Sequence, residues 1–339
     1  MQRRQIMVGL GAGLATGLAA PAISRAAPPL KIRFGWAITP AQMIPLVFQN
    51  TAVLRHYGKS YTAEALHFTG SSQQITALAA GELQIAAFAF SSFALAIQNA
   101  HMRDLRVVGD MYQDGVPGHY TSQYVVRADS PIRSVKDLKG KVIATNGVGG
   151  AIDMAMRKML RDNGLEDKRD YSVIEVQFPN MPAMLSEKKV DMAGMVAPYS
   201  LQEVKSGRVR SLFTMADAMG VAQTTLLAAR TPFIAQNRPA LVDFFEDLQT
   251  GTRWLLDPAN RQATLKLISG FTKRPESVYA DWVFTPSDYY HDPDVQPNLK
   301  ALQNNIKVQK DLGLLRIDLD VARYADTSLV SEAAKRPRA

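Results

Sequence analysis

The sequence predicts an α/β protein of two lobes, each a mostly parallel sheet flanked by helices. Three observations predict it. The chain has 339 residues, more than a single hydrophobic core usually serves. Residues 30–109 alternate short apolar strands with helical patterns over short connections, the pattern of a parallel sheet. Residues 140–164 (GKVIATNGVGGAIDMAMRKMLRDNG) then start the same alternation again.

The first 26 residues stand apart from that pattern. Arg3 and Arg4 precede an apolar run over 6–20, and Ser24-Arg25-Ala26 is a small-x-small cleavage site. This is a secretory leader; the run is too short and too rich in Gly and Ala for a span of roughly 20 residues. The arginine pair is a partial twin-arginine motif, so both export routes stay open.

The first lobe begins at residues 30–36 (LKIRFGW), which alternate with Ile32, Phe34 and Trp36 on one face. A loop over 37–42 leads to a helix expected over 43–54, with Pro45 in its first turn. Residues 62–68 form a second strand. Gly70-Ser71-Ser72 then opens a helix carrying Ile75, Leu78 and Ala79, and Gly81 stops it. Residues 83–89 read as a buried third strand, 93–99 as a helix and 105–109 as another strand.

The second lobe begins at the β-rich run 121–127, with a helical turn over 134–138. Val142, Ile143 and Ala144 form a short strand, and Asn146-Gly147-Val148-Gly149-Gly150 forms a turn tolerant of positive φ. Ile152, Ala155, Met156, Met159 and Leu160 make one apolar stripe, ended by Gly164. Strands follow over 173–178 and 190–196, separated by a helix that starts at Pro182. The run 220–230 closes the lobe. Helical spacing over 238–256, 260–270, 276–282 and 298–312 predicts helices that pack back on the first lobe. The domain expectation is a leader over 1–26, lobe 1 over 30–120 plus 224–330, lobe 2 over 121–223, and a flexible basic tail over 331–339.

Composition narrows the function classes. Apolar residues are 47% and charged residues 21% of the chain, ordinary for a soluble protein. Removing the leader lowers the basic count from 39 to 36 against 31 acids, a net charge of +5. No basic stripe with interleaved aromatics exists, so nucleic acid is not an expected partner. The absence of cysteine excludes disulfides, thiolate chemistry and a lipid-anchored N-terminus.

The turns carry the chemistry. First-turn N–H groups of a helix have no intrahelical partner and suit anions. The turn over 146–150 and a second at 70–72 are expected to face each other. The first is neither G-x-G-x-x-G nor a P-loop, so it is no nucleotide motif. Histidines 56, 67, 101, 119 and 291 show no metal-ligand pairing, no G-x-S-x-G appears, and Asp292 with Asp294 lacks the Gly and Glu of an EF-hand. No catalytic residue, metal or cofactor is expected.

Three phrases carry a resemblance: ITALAAGELQIAAF, ADSPIRSVKDLKGKVIATNGVGGAIDMAMRKMLRDNGL and MPAMLSEKKVDMAGMVAPY. Over residues 30–315 the chain resembles the nitrate/sulfonate/taurine group of ABC-transporter substrate-binding proteins, relatives of proteins that bind or make the thiamine pyrimidine. The resemblance implies the two-lobed periplasmic-binding-protein (type II, Venus-flytrap) fold. Its strand crossings would lie near 120–124 and 220–225, and ligand contacts beyond the carboxyl ends of the strands.

Carried onto this sequence, the contact regions are Trp36, Thr39 and Gln42; Ser71 and Ser72; Ser91 and Ser92; Asn146, Gly147, Gly149 and Gly150; Pro198 and Tyr199; and Gln223 and Thr224. Each has a plainer reading: Trp36 as a core cap, Thr39 as an ST-turn, the serines as helix caps. Phe88 and Phe90, with Trp36 and Tyr199, are an alternative lining for an aromatic or pyrimidine ligand. No Lys or Arg falls on these turns, so an anion would be held by N–H groups and hydroxyls. The implied function is a monomeric periplasmic solute-binding component of an ABC importer, which delivers a small sulfonate, carboxylate or similar anion to a permease. The alternatives are an enzyme of thiamine pyrimidine synthesis, against which the missing lysine and histidine near 88–92 count, and a ligand-presenting partner of a sensor kinase.

Overall fold

The computed structural model describes residues 28–337; the expected leader lies outside them. Lobe 1 is built from β1 (Leu30–Trp36), α1 (Ile44–Val47), β2 (Tyr61–His67), α2 (Ser71–Ala79), β3 (Ile85–Ala89), α3 (Phe90–Asn99) and β4 (Leu105–Asp114). Lobe 2 follows with β5 (Gln123–Arg127), β6 (Lys141–Thr145), α4 (Ala151–Asp162), β7 (Tyr171–Glu175), α5 (Met181–Ser186), β8 (Met192–Met195), α6 (Tyr199–Lys205), β9 (Val209–Thr214) and α7 (Met215–Met219). The chain returns through β10 (Ala222–Arg230) and ends in α8 (Thr231–Leu256), α9 (Arg261–Thr272), α10 (Leu299–Asp311) and α11 (Ser328–Ala334).

Two five-stranded sheets result, ordered β2-β1-β3-β10-β4 and β7-β6-β8-β5-β9. Each is parallel except for one strand. β10 runs antiparallel to β3 and β4, and β5 runs antiparallel to β8 and β9. These are the strands that arrive directly from the other lobe. They start at the interlobe edge, where their neighbours end, so they run the opposite way. Asp114 and Ser122 tie the outgoing crossing: both carboxylate oxygens accept the Ser122 N–H, at 3.2 and 3.1 Å. The Ser122 hydroxyl meets Tyr289 at 2.8 Å.

The sheet of lobe 1 divides the core. Phe34, Phe244, Phe245 and Leu248 pack on the face of α1 and α8. Phe88, Phe90 and Phe93 pack on the other, where the core continues into lobe 2. The helices after β10 pack on lobe 1, as their spacing predicts. No helix of the described residues is long and apolar enough to cross a membrane.

Several expectations need correction. The helix expected over 43–54 is one turn, α1, and a 3₁₀ turn over Thr51–Val53. Tertiary contacts draw the chain out: Phe48 stacks on Phe244 at 5.3 Å, and Asp247 accepts the N–H groups of Arg55 (2.7 Å) and His56 (3.0 Å). The helix expected over 276–282 is a 3₁₀ turn, Glu276–Val278. The tail docks over its described residues. Leu329, Val330 and Ala333 are buried, and Arg336 pairs with Asp243 (2.6 Å) and Glu246 (2.7 Å).

Candidate functional site

The cleft begins where a sheet parts. β1 pairs with β3 only through Phe34 and Ile85. Beyond that point the peptide groups of Ala87 have no strand on this side, and buried peptide groups need partners. Gln74 of α2 supplies them: its Oε1 accepts from Ala87 N at 2.9 Å and its Nε2 donates to Ala87 O at 2.9 Å. Residue 35 is glycine because a Cβ there would lie 2.4 Å from Gln74 Oε1. This clamp fixes α2 with its N-terminus at the carboxyl end of the sheet. α2 has no side-chain cap. Ser71 Oγ accepts from Ala89 N at 3.3 Å, and Ser72 is exposed.

Lobe 2 repeats the arrangement with different chemistry. A Cβ on Gly194 would lie 2.5 Å from Ile152 Cγ2, so this glycine lets α4 sit close over its sheet. Tyr124 OH donates to Ile152 O at 2.7 Å. The turn before α4 is already occupied by the protein's own acids. Val148 N donates to Glu175 at 2.7 Å and Gly149 N donates to Asp153 at 2.8 Å. Burial pushes the Asp153 carboxyl up, while Arg157 at 2.7 Å and the Gly149 N–H oppose that shift.

The two turns meet across one cleft of about 820 Å³. Of the residues singled out from sequence, Trp36, Thr39, Gln42, Ser71, Ser72, Asn146, Gly147, Gly150, Pro198, Tyr199 and Thr224 line it. Four do not. Gly149 sits behind the turn, where its N–H reaches Asp153. Ser91 is fully buried in α3, and Ser92, in the same helix turn, is not among the residues that line the cleft. Gln223 is buried on the far side of β10, donating to Asp110 and to Thr225 O and accepting from Asn298 N. Gln42 lines the wall but serves its loop, accepting from Ala37 N at 2.6 Å. Phe88 and Phe90 are fully buried and give the cleft no surface.

Other lining residues were not singled out from sequence. Phe271, Thr272 and Arg274 come from the end of α9, which returns to the cleft although it packs on lobe 1. Their local sequence carries no motif; only the tertiary path of α9 brings them in. Glu175, Gln177 and Phe178 lie at the carboxyl end of β7. The carboxyl-end rule, applied to β7, would have found them.

The walls are aromatic. Trp36 lies 4.3 Å from His67 and 5.4 Å from Phe271, between ring centroids. The Arg274 guanidinium lies 5.7 Å from the centre of the Tyr199 ring, with its Nη2 3.5 Å from the Tyr199 hydroxyl. Because α9 belongs to lobe 1 and Tyr199 to lobe 2, this contact spans the cleft. Tyr120 with Ser200 and Lys205 with Asp281 (2.9 Å) also join the lobes. A separate cluster of His56, Asp243 and Glu246 lies outside the cleft and is closed by Arg336 and Arg55.

Two mixed sheets joined by two crossings around a lined cleft define the two-lobed α/β periplasmic-binding-protein fold. The chain belongs to the NMT1-like family, whose model matches residues 25–269. No curated protein matches the sequence. Solved structures share the fold at low identity. The alkanesulfonate-binding protein SsuA from Xanthomonas axonopodis pv. citri, bound to MOPS, has 20% identity and a TM-score of 0.64, covering 91% of this chain and 99% of that one. The nitrate-binding protein NrtA from Synechocystis PCC 6803 has 16% identity and a TM-score of 0.72, over 91% and 89%. The ligand-binding component of an ABC-type import system from Staphylococcus aureus, solved with zinc bound, has 15% identity and a TM-score of 0.72, over 91% and 100%.

Proposed function

We propose that this protein is the exported solute-capturing component of an ABC importer, taking a small organic anion into its cleft and presenting it to a permease. The observation that carries this reading is the uncapped N-terminus of α2, with Ser71 and Ser72, at the wall of an interlobe cleft. Free N–H groups and hydroxyls there are donors without acceptors, which suits an oxyanion. The sulfonate-binding and nitrate-binding relatives in fold, and the import component, support the same direction.

Capture follows from closure. The ligand binds one lobe, and contacts added by the other favour the closed form. Moving from mostly open to mostly closed takes about 5 kcal/mol of differential contact. Two or three hydrogen bonds to a charged ligand, at roughly 1.5–3 kcal/mol each, supply it. Among the described residues that line the cleft there is no lysine, which favours capture over the enzyme alternative.

Isothermal titration against organic sulfonates, aromatic acids and pyrimidines tests the reading. Binding of an organic anion, with a smaller radius of gyration in solution scattering, is the expected result. A folded protein that binds no anion would overturn it.

A further inference from the structure

We propose that the captured anion is a mono-anion on a flat aromatic body: an aromatic carboxylate or sulfonate whose charged group is shared between Arg274 and the α2 N-terminus, and whose ring lies against Trp36, Phe271 and Tyr199. This rests on the capture role proposed above and deepens it by fixing the ligand's class.

Arg274 is the single lysine or arginine among the described residues that line the cleft. It has no carboxylate partner among the described residues; its contacts are the ring and hydroxyl of Tyr199. Stacking on an aromatic face orients a guanidinium while leaving its donors free. A planar fork left without a counter-ion in a half-buried cleft matches a carboxylate or sulfonate, which it meets with two parallel hydrogen bonds.

The body of the ligand follows from the walls. Trp36, Phe271, Tyr199, Phe178 and Tyr279 all contribute surface. Aromatic walls favour a flat ring in offset or edge-to-face contact. The volume of about 820 Å³ lies within the roughly 300–1,000 Å³ of sites that enclose drug-sized organic ligands. An inorganic oxyanion would leave most of it to water.

Glu175 limits the charge. Its carboxylate stands at the lobe 2 wall, holds Val148 N–H at 2.7 Å, and has no cation partner among the described residues. A second anionic group on the ligand would meet this like charge. The site therefore selects against dianions such as terephthalate.

The test is a titration of wild type, R274Q and E175Q with benzoate, benzenesulfonate, methanesulfonate, nitrate and terephthalate, with circular dichroism as the folding check. Wild type is expected to bind benzoate or benzenesulfonate at least about tenfold tighter than methanesulfonate, nitrate or terephthalate. R274Q is expected to lose on the order of tenfold to a hundredfold for the aromatic acids, and E175Q to narrow the gap for terephthalate. Methanesulfonate binding as tightly as benzenesulfonate, or a folded R274Q that binds like wild type, overturns the aromatic-acid proposal and leaves anion capture standing. A folded wild type that binds no anion overturns both.

Discussion

The two walls of the cleft are built to one plan and finished differently. Each is a strand, a turn and a helix held close over its sheet at a glycine, Gly35 under Gln74 and Gly194 under Ile152. In lobe 1 the helix start is uncapped and its serines face the cleft. In lobe 2 the turn N–H groups of Val148 and Gly149 already hold Glu175 and Asp153. A helix start is thus an anion site only when the chain has not filled it. The repeated fold supplies two candidate cradles, and side chains from β7 and α4 turn one of them into an acidic wall.

The largest effect that sharpens this comparison concerns buried acids. Asp110 of lobe 1 is buried against Gln223 and the Asp292 N–H with no cation partner among the described residues, and burial pushes its carboxyl up to about 7. Asp153 of lobe 2 has Arg157 at 2.7 Å. With a folded pKa above the unfolded one, Asp110 costs nothing at low pH, and its cost grows as pH rises from about 4 to about 7. The loss is on the order of 4 kcal/mol and is constant above that window. Asp110→Asn removes this decline, so its denaturation midpoint falls less than that of wild type between about pH 4 and pH 7. Asp153→Asn leaves Arg157 with Asp167 (2.6 Å) as its one remaining carboxylate among the described residues and lowers the midpoint at pH 7. An Asp110→Asn midpoint that falls as far as that of wild type would break the contrast.

Next is the clamp. Gln74→Leu leaves the Ala87 N–H unpaired and its carbonyl with only the long bond from Gln42 Nε2 (3.4 Å), and is expected to destabilise by about 2–3 kcal/mol, since a buried unpaired group costs about 1–3 kcal/mol. Tyr124→Phe removes one bond to Ile152 O in lobe 2 and is expected to cost about 1 kcal/mol. Urea denaturation of the two variants checks the order, and a larger loss for Tyr124→Phe contradicts it.

The smallest effect is on ligand affinity. Replacing Ser71 and Ser72 together by Ala should weaken benzenesulfonate binding by roughly tenfold, whereas Asn146→Ala, on the acidic wall, should change it by less than about threefold. Titration calorimetry reads both. The reverse order would place the anion on lobe 2.

Much of the fold was legible because apolar periodicity reports buried strands and helices directly. The turns at 70–72 and 146–150, and the residues that end β1 and β8, meet at the cleft as their positions imply. The direction of β5 and β10 was not legible, since a strand arriving from another lobe has the same composition as one that follows a helix. Nor was the fate of Gln223, whose amide joins a network with Asp110 and Asn298 distant in sequence. Arg274 escaped for the same reason. Its role depends on where α9 ends relative to Tyr199, 75 residues earlier, and no local pattern records that.

The asymmetry of the two walls is tested most directly by amide chemical shifts of the perdeuterated protein titrated with benzenesulfonate. The predicted result is that the largest shifts fall on the first-turn amides of α2, at 71–73, while Val148 and Gly149 keep their partners and move little. Largest shifts at 146–150, with residues 71–73 unmoved, would contradict the account.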